Sequence, residues 1–84
     1  MVGIRVLYFA VSREVAGVSE EALELEPGTT TDDLLRQLVE RHPGLASVLK
    51  TCVLALNQEY LEASEGTALK PGDEVAIIPP LSGG

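Results

Sequence analysis

The final six residues form the segment whose types and spacing point most clearly to chemistry. The first two are prolines, which fix φ and lack a backbone donor, so they block further sheet pairing and favour a stiff, extended exit from the preceding strand. The last two are glycines, which have no β-carbon and fit a channel too narrow for other residues. The pattern predicts a tail that carries an ionised α-carboxylate to a partner, with a reach of about 17–20 Å. Its residues are Pro79, Pro80, Leu81, Ser82, Gly83 and Gly84.

Two other side chains are candidates for reactivity. Cys52 is the only cysteine, so no internal disulfide forms and the reducing cytosol is the expected compartment. It could bear sulfur, but its strand parity predicts burial, which is common for a free cysteine. His42 is the only histidine, and we expect it to end a helix, with no carboxylate or nucleophile evidently placed for it to activate.

The composition restricts the function further. The chain has 84 residues, enough for one small domain, and a net charge of −7. This charge disfavours a nucleic acid and favours a basic partner protein, unless it serves only solubility. No signal peptide, membrane-length apolar run, catalytic triad, glycine-rich phosphate loop or zinc spacing is evident, so we expect a cytosolic chain that is not itself an enzyme and holds no metal.

The N-terminal third predicts a hairpin. The stretch GIRVLYFA, residues 3–10, is rich in β-branched and aromatic residues and is typical of a strand. We interpret residues 11–19, which contain Gly17 and several polar residues, as a loop. Leu23 and Leu25 alternate with glutamates in a second strand that stops at Pro27-Gly28.

The period then changes from two to that of a helix. Apolar residues from Leu34 to Val39 fall on one stripe, and Thr30 with Asp33 forms a capping-box pattern. Pro43 and Gly44 should stop this helix.

Three further strands are expected after the helix. CVLALNQEYL predicts a strand, a tight turn and a short edge strand, and a turn at 70–73 precedes a last strand over 74–78. The economical packing is α+β: a mixed sheet of four to five strands on one main helix, the ubiquitin-like β-grasp arrangement. Residues 1–78 then form the domain and residues 79–84 the extended tail.

Strand parity predicts an apolar patch on the sheet face away from the helix. If Arg5, Asn57 and Glu74 face water, the residues two and four positions from them share that face. This outer-face patch would consist of Leu7, Phe9, Val53, Ala55, Ala76 and Ile78. Such a patch usually marks a partner surface, although curling of the outer strands could cover part of it.

These elements carry a family resemblance over nearly the whole chain. The stretches VLYFAVSREVAG, RHPGL, LNQEYL and PGDEVAIIPPLSGG resemble the family of small, sulfur-carrier subunits of molybdopterin synthase, which are ubiquitin-like β-grasp proteins. The first and last stretches are specific in combination, whereas a Gly-Gly end alone is shared by every ubiquitin-like carrier.

The resemblance implies a carrier cycle. A ubiquitin-type activating enzyme would consume ATP to adenylate Gly84, sulfur would replace AMP, and the Gly84 thiocarboxylate would supply sulfur to cyclic pyranopterin monophosphate. This last step would occur in the large synthase subunit, within a heterotetramer of two small and two large subunits. No cofactor would be bound stably. The family's contacts with the large subunit correspond to Phe9, Tyr60 and Ile78.

Three alternatives remain open. The chain could carry sulfur for the thiazole of thiamin or for tRNA thiolation, it could be a protein modifier that forms isopeptide bonds through Gly84, or it could be an interaction module with an inert tail.

Overall fold

The computed structural model describes residues 1–61 and 66–79, which contain five strands and three helices. Pro80, Leu81, Ser82, Gly83 and Gly84 lie outside the described residues, as do residues 62–65. The elements in chain order are β1 Val2–Tyr8, α1 Val11–Ala16, β2 Glu20–Leu25, α2 Thr31–Arg41, α3 Leu45–Leu49, β3 Val53–Leu56, β4 Glu59–Tyr60 and β5 Glu74–Ile78.

The strands form one mixed sheet in the order β2-β1-β5-β3-β4. β1 and β2 are an antiparallel hairpin, as predicted, and β1 runs parallel to β5 at the centre. β3 is antiparallel to both β5 and β4. Asn57 and Gln58, both with positive φ, make the tight turn between β3 and β4. The α+β, β-grasp prediction is confirmed.

The core lies between one face of this sheet and α2. In β1, Val2, Ile4, Val6 and Tyr8 alternate with more exposed residues and are all buried. The helix contributes the buried side chains of Leu34 and Leu38. Ala16 of α1 and Leu45 of α3 pack in the same core, so among residues 1–61 and 66–79 the helices lie on this side and the opposite sheet face is left uncovered by them.

The predicted capping box at the start of α2 is present. The backbone N–H of Asp33 donates to Thr30 Oγ1 at 3.2 Å, and the Thr30 N–H donates to Asp33 Oδ2 at 3.2 Å. The hydrogen bonds from Thr30, its backbone one foremost, and from Arg36 hold the pKa of Asp33 below its usual value. This cap fixes the first turn of the main helix.

The loop predicted over residues 11–19 was wrong, because Val11–Ala16 forms α1. In its first turn, the Ser12 hydroxyl accepts from the Phe9 N–H at 3.0 Å and donates to the Phe9 carbonyl at 2.7 Å. Gly17 ends it in the left-handed region at φ 80. The short helix α3, directly after the predicted stop at Pro43 and Gly44, was also not anticipated.

Within the part of the chain that the structure describes, no helix has the length and apolar character needed to cross a bilayer.

Candidate functional site

The outer-face patch is assembled by the pairing of three neighbouring strands. Leu7 of β1 lies opposite Ala76 of β5, and Ala76 lies opposite Ala55 of β3. Ile78 lies opposite Val53. These residues therefore lie on one face of the sheet, as their strand parity predicted, and the three strands are neighbours.

Two aromatic side chains are exposed at this sheet face: Phe9, which belongs to the patch, and Tyr60, which lies beside it. Phe9 is 46% exposed and Tyr60 is 65% exposed, although both are large apolar groups. With Leu7, Ala76 and Ile78 they help to line a shallow depression of about 330 Å³. An exposed apolar surface of this kind is typical of a protein-binding site.

Ala55 was predicted to be an exposed member of the patch, and this was wrong. It is only 3% exposed, because it lies on a central position of β3 between Ala76 of β5 and Tyr60 of β4. Its single-carbon side chain does not project past the much larger Tyr60 on one strand and the Ala76 strand on the other. Ala55 thus forms the floor of the depression rather than its rim.

The predicted tail begins at the edge of this surface. Pro79 is half-buried and, with Val53, Tyr60 and Ile78, lines a second apolar depression of about 180 Å³. Tyr60, whose role at the interface was predicted only from the family resemblance, therefore lies beside the start of the tail. The remaining site residues predicted for the tail, from Pro80 to Gly84, lie outside the described part of the chain.

The other end of the same sheet face is charged. Arg5 lies 3.9 Å from a carboxylate oxygen of Glu20 and 3.9 Å from one of Glu74. Exposed pairs at this distance contribute about 0–1 kcal/mol to stability. The charged end therefore contributes little to folding and leaves the apolar end as the distinctive part of the face.

His42 has a carboxylate neighbour that we did not predict. Its Nε2 lies 3.0 Å from Glu21 Oε1, and the buried Tyr8 hydroxyl donates to the same oxygen at 2.6 Å. Arg41 lies 3.4 Å from Glu21 Oε2. His42 does cap α2, as predicted, but its partner is 21 positions away in the sequence, so local spacing gave no signal.

These contacts set the ionisation of the cluster. Burial alone would raise the pKa of Glu21, but hydrogen bonds from Tyr8 and His42, with the charges of His42 and Arg41, outweigh it and lower this pKa below 4.5. Burial, followed by the hydrogen bond to Glu21, raises the pKa of Tyr8 well above its usual value. The arrangement stabilises an ionised Glu21 and a neutral Tyr8.

We expect Glu21→Gln to lower the free energy of unfolding by about 1–2 kcal/mol at neutral pH, because a hydrogen-bonded charge is lost. The folded-state pKa of Glu21 is depressed, so its stabilisation is present above 4.5 and is lost as the pH falls through the lower, folded-state pKa. The wild-type and variant stabilities should converge in acid. Urea unfolding at several pH values measures this, with the exposed Glu24→Gln as control; a constant difference down to the acid limit would refute the assignment.

A family model now places the chain. The model described as the ThiS family matches residues 6–84. The chain belongs to the ThiS family. It is also 65% identical, over 96% of this chain and 98% of its relative, to the molybdopterin synthase sulfur carrier subunit of Chlamydomonas reinhardtii.

Solved structures give the same fold. The crystal structure of SAMP1 from Haloferax volcanii matches this ThiS-family chain with a TM-score of 0.83 and 31% identity, over 98% of this chain and 99% of that one. A chain from the complex of subunits 1 and 2 of the molybdopterin-converting factor of Helicobacter pylori matches with a TM-score of 0.70 and 24% identity, over 99% and 100%. The second match supports the fold alone.

Cys52 is not placed to act as the sulfur-bearing residue of this ThiS-family protein. It is half-buried and packs against the core, which agrees in direction with the predicted burial. Burial raises the pKa of its thiol, so the reactive thiolate is disfavoured. Within residues 1–61 and 66–79, no group of acidic, histidine or cysteine side chains is arranged to hold a metal ion.

Proposed function

We propose that this ThiS-family protein is the sulfur carrier of molybdenum cofactor biosynthesis and the small subunit of a molybdopterin synthase. The observation that carries the proposal is the position of the tail root. Pro79 leaves the sheet next to Tyr60 and Ile78, at the edge of an exposed apolar surface. A partner that binds this surface contacts the point from which the tail leaves the domain. The 65% identity to a carrier subunit of this name supports the assignment.

The chemistry takes place at the carboxylate of Gly84. An activating enzyme of the ubiquitin type joins this carboxylate to AMP from ATP and releases pyrophosphate. A sulfur donor then displaces AMP and leaves a thiocarboxylate. In the large subunit the sulfur passes to cyclic pyranopterin monophosphate, and an oxygen from water restores the carboxylate. Two sulfur atoms are needed for the dithiolene, so two carriers that bear a thiocarboxylate are used for each product molecule.

The chain itself contributes no catalytic group to this cycle. The Glu21–His42 pair is its best acid–base candidate among the described residues, but both side chains are less than 20% exposed. Glu21 shares its strand face with the buried Leu23 and Leu25, so it lies on the helix side of the sheet. The outer-face patch is on the opposite side. The pair therefore serves the fold, and the partners supply the catalysis.

The partners follow from the same cycle. We infer a large catalytic subunit, in a heterotetramer of two small and two large subunits, and a separate activating enzyme that consumes ATP. Both act in the cytosol in this proposal. Neither requires a cofactor, a nucleic acid or a membrane to be bound by this chain.

One structural likeness favours a second function. SAMP1 from Haloferax volcanii shares the fold at 31% identity, and a solved structure of that organism's protein is described as a small archaeal modifier protein. A modifier would form an isopeptide bond between Gly84 and a lysine of another protein. Conjugates that appear only when Gly84 is present would support this second role.

A reconstituted transfer reaction tests the main proposal. The sulfur-charged chain is mixed with the large subunit and cyclic pyranopterin monophosphate in a single turnover, and dithiolene product is measured. Parallel reactions offer the charged chain to a thiazole-forming system and to a tRNA-thiolating system. We expect product only in the first. Transfer in either of the others, without molybdopterin formation, would replace the proposed substrate with that product.

A further inference from the structure

A second set of exposed apolar side chains follows β1 at the end of the sheet from which the tail leaves, where Tyr8 pairs with Ile77. Helix α1 and the residues after it expose Val11, Val15 and Val18 by 48%, 37% and 43%. Val11 and Val15 are four positions apart and therefore lie on the same face of the helix. We call Val11, Val15 and Val18 the valine ridge. The proposed cycle assigns no role to it.

Hydrogen bonds attach the start of α1 to the end of β5. The Phe9 N–H donates to the Ile77 carbonyl at 3.3 Å, and the Ser12 hydroxyl lies 3.4 Å from the same oxygen. Ile77 is two residues before Pro79, where the tail begins. Residues on both sides of Val11 are therefore in contact with the end of β5, two residues before the tail begins.

The backbone between the sheet and the ridge is strained. Ala10 has φ 55 and ψ −127, a region that residues with a β-carbon rarely occupy and that carries an energy of about 1–3 kcal/mol. This conformation turns the chain sharply from β1 into α1 and places Phe9 and Val11 on either side of the turn. Phe9 belongs to the outer-face patch and Val11 to the ridge, so this one residue of backbone joins the two surfaces.

The length of the tail limits where a partner can stand. Five residues follow Pro79. Even fully extended they span about 17–18 Å. Helix α1, at 1.5 Å per residue, is about 9 Å long and starts beside the tail root. A protein that encloses the terminus in a narrow channel must bring the mouth of that channel close to this end of the domain, where the patch and the ridge flank the tail.

We propose that the valine ridge is a second contact for the sulfur-accepting large subunit. The large subunit then binds on both sides of the tail root, at the outer-face patch and at α1. This inference rests on the proposed function. The partner that binds the ridge is a protein with apolar side chains on both sides of the channel that receives the tail. The activating enzyme, a second copy of this chain and an unoccupied ridge are the other outcomes of the test.

Charge substitution on the ridge tests this contact. Val11→Glu and Val15→Glu should weaken binding to the large subunit by about tenfold or more, because a carboxylate would lose its water in an apolar contact. Gln37→Glu, which adds the same charge at an exposed position of α2, is the control and should bind like wild type. Affinities are measured by titration calorimetry, and circular dichroism confirms folding. A photo-crosslinking residue at position 11, with position 37 as control, gives an independent readout if a charged variant unfolds.

Each outcome decides the inference. Weakened binding and a crosslink to the large subunit from position 11 support it. Folded variants that bind the large subunit like wild type, or no crosslink from position 11, overturn it, even if the activating enzyme or a second copy proves sensitive. If wild type itself fails to bind the large subunit, the proposed function fails and the inference falls with it.

Discussion

Adding one residue after Gly84 abolishes sulfur transfer. The added residue turns the Gly84 carboxylate into a peptide amide, which cannot be adenylated, so no thiocarboxylate forms on Gly84, and the new terminal carboxylate lies one residue too far along the chain. The narrow channel of the large subunit must also accommodate the side chain of the added residue. The domain of residues 1–78 should melt at the wild-type temperature, because the addition lies beyond Pro79. A single-turnover transfer assay after incubation with the activating enzyme and ATP measures the loss, and intact mass confirms that the added residue has not been removed.

A milder change at position 83 separates the effect of the tail's shape from the effect of its terminal carboxylate. Gly83→Ala keeps the free carboxylate but adds a methyl group and disfavours positive φ, by about 1–2 kcal/mol if the bound tail is left-handed there. In this variant both formation of the Gly84 thiocarboxylate and transfer of its sulfur should be slower. Full activity of the extended chain, with its extra residue intact, would rule out Gly84 as the sulfur-bearing position.

Phe9→Glu and Ile78→Glu weaken binding to the large subunit by about 2 kcal/mol or more, roughly thirtyfold in affinity. Each places a carboxylate in the outer-face patch, where the complex would strip its water. Phe9 is 46% exposed in the free chain, so its substitution should leave the fold intact. Ile78 is half-buried beside Val53, and we expect Ile78→Glu to lower stability as well.

Ala22→Glu is the matched control for these variants. Ala22 is an exposed residue of β2 on the same sheet face, but it lies opposite Arg5 at the charged end. The new carboxylate can pair there with the guanidinium, so binding and stability should stay near wild type. Equal loss of affinity in Ala22→Glu and Phe9→Glu would show that net charge, and not the apolar patch, determines binding.

The regular elements could be predicted from local pattern. Period-two alternation in β1 and β2, the cap formed by Thr30 and Asp33, and the turn before β5 each depend on residues within a few positions of one another. The mixed sheet on one main helix followed because a hairpin, one helix and three more strands have few economical packings, whereas the strand order was not predicted. The parity of Leu7, Ala76 and Ile78 then predicted most of the outer-face patch.

The elements that were missed depend on contacts between distant residues. Helix α1 has only six residues, too few for a periodic signal, and Ser12 at its start reaches the carbonyl of Ile77, 65 positions away. The carboxylate beside His42 comes from β2, on a separate element. The burial of Ala55 depends on its position between two neighbouring strands, with Tyr60 on one of them. None of these can be read from spacing along the chain.

The most direct test of the carrier function is the mass of the C-terminal peptide after incubation with the activating enzyme, a sulfur donor and ATP. The peptide should gain the mass of one oxygen-to-sulfur exchange, only when ATP is present, and Cys52→Ser should gain it equally. Oxidation of Met1 or Cys52 adds almost the same nominal mass, so the gain must be located in the peptide that contains Gly84. A gain that persists after Gly84 is deleted, or that disappears in Cys52→Ser, would contradict a carrier function based on the terminal carboxylate.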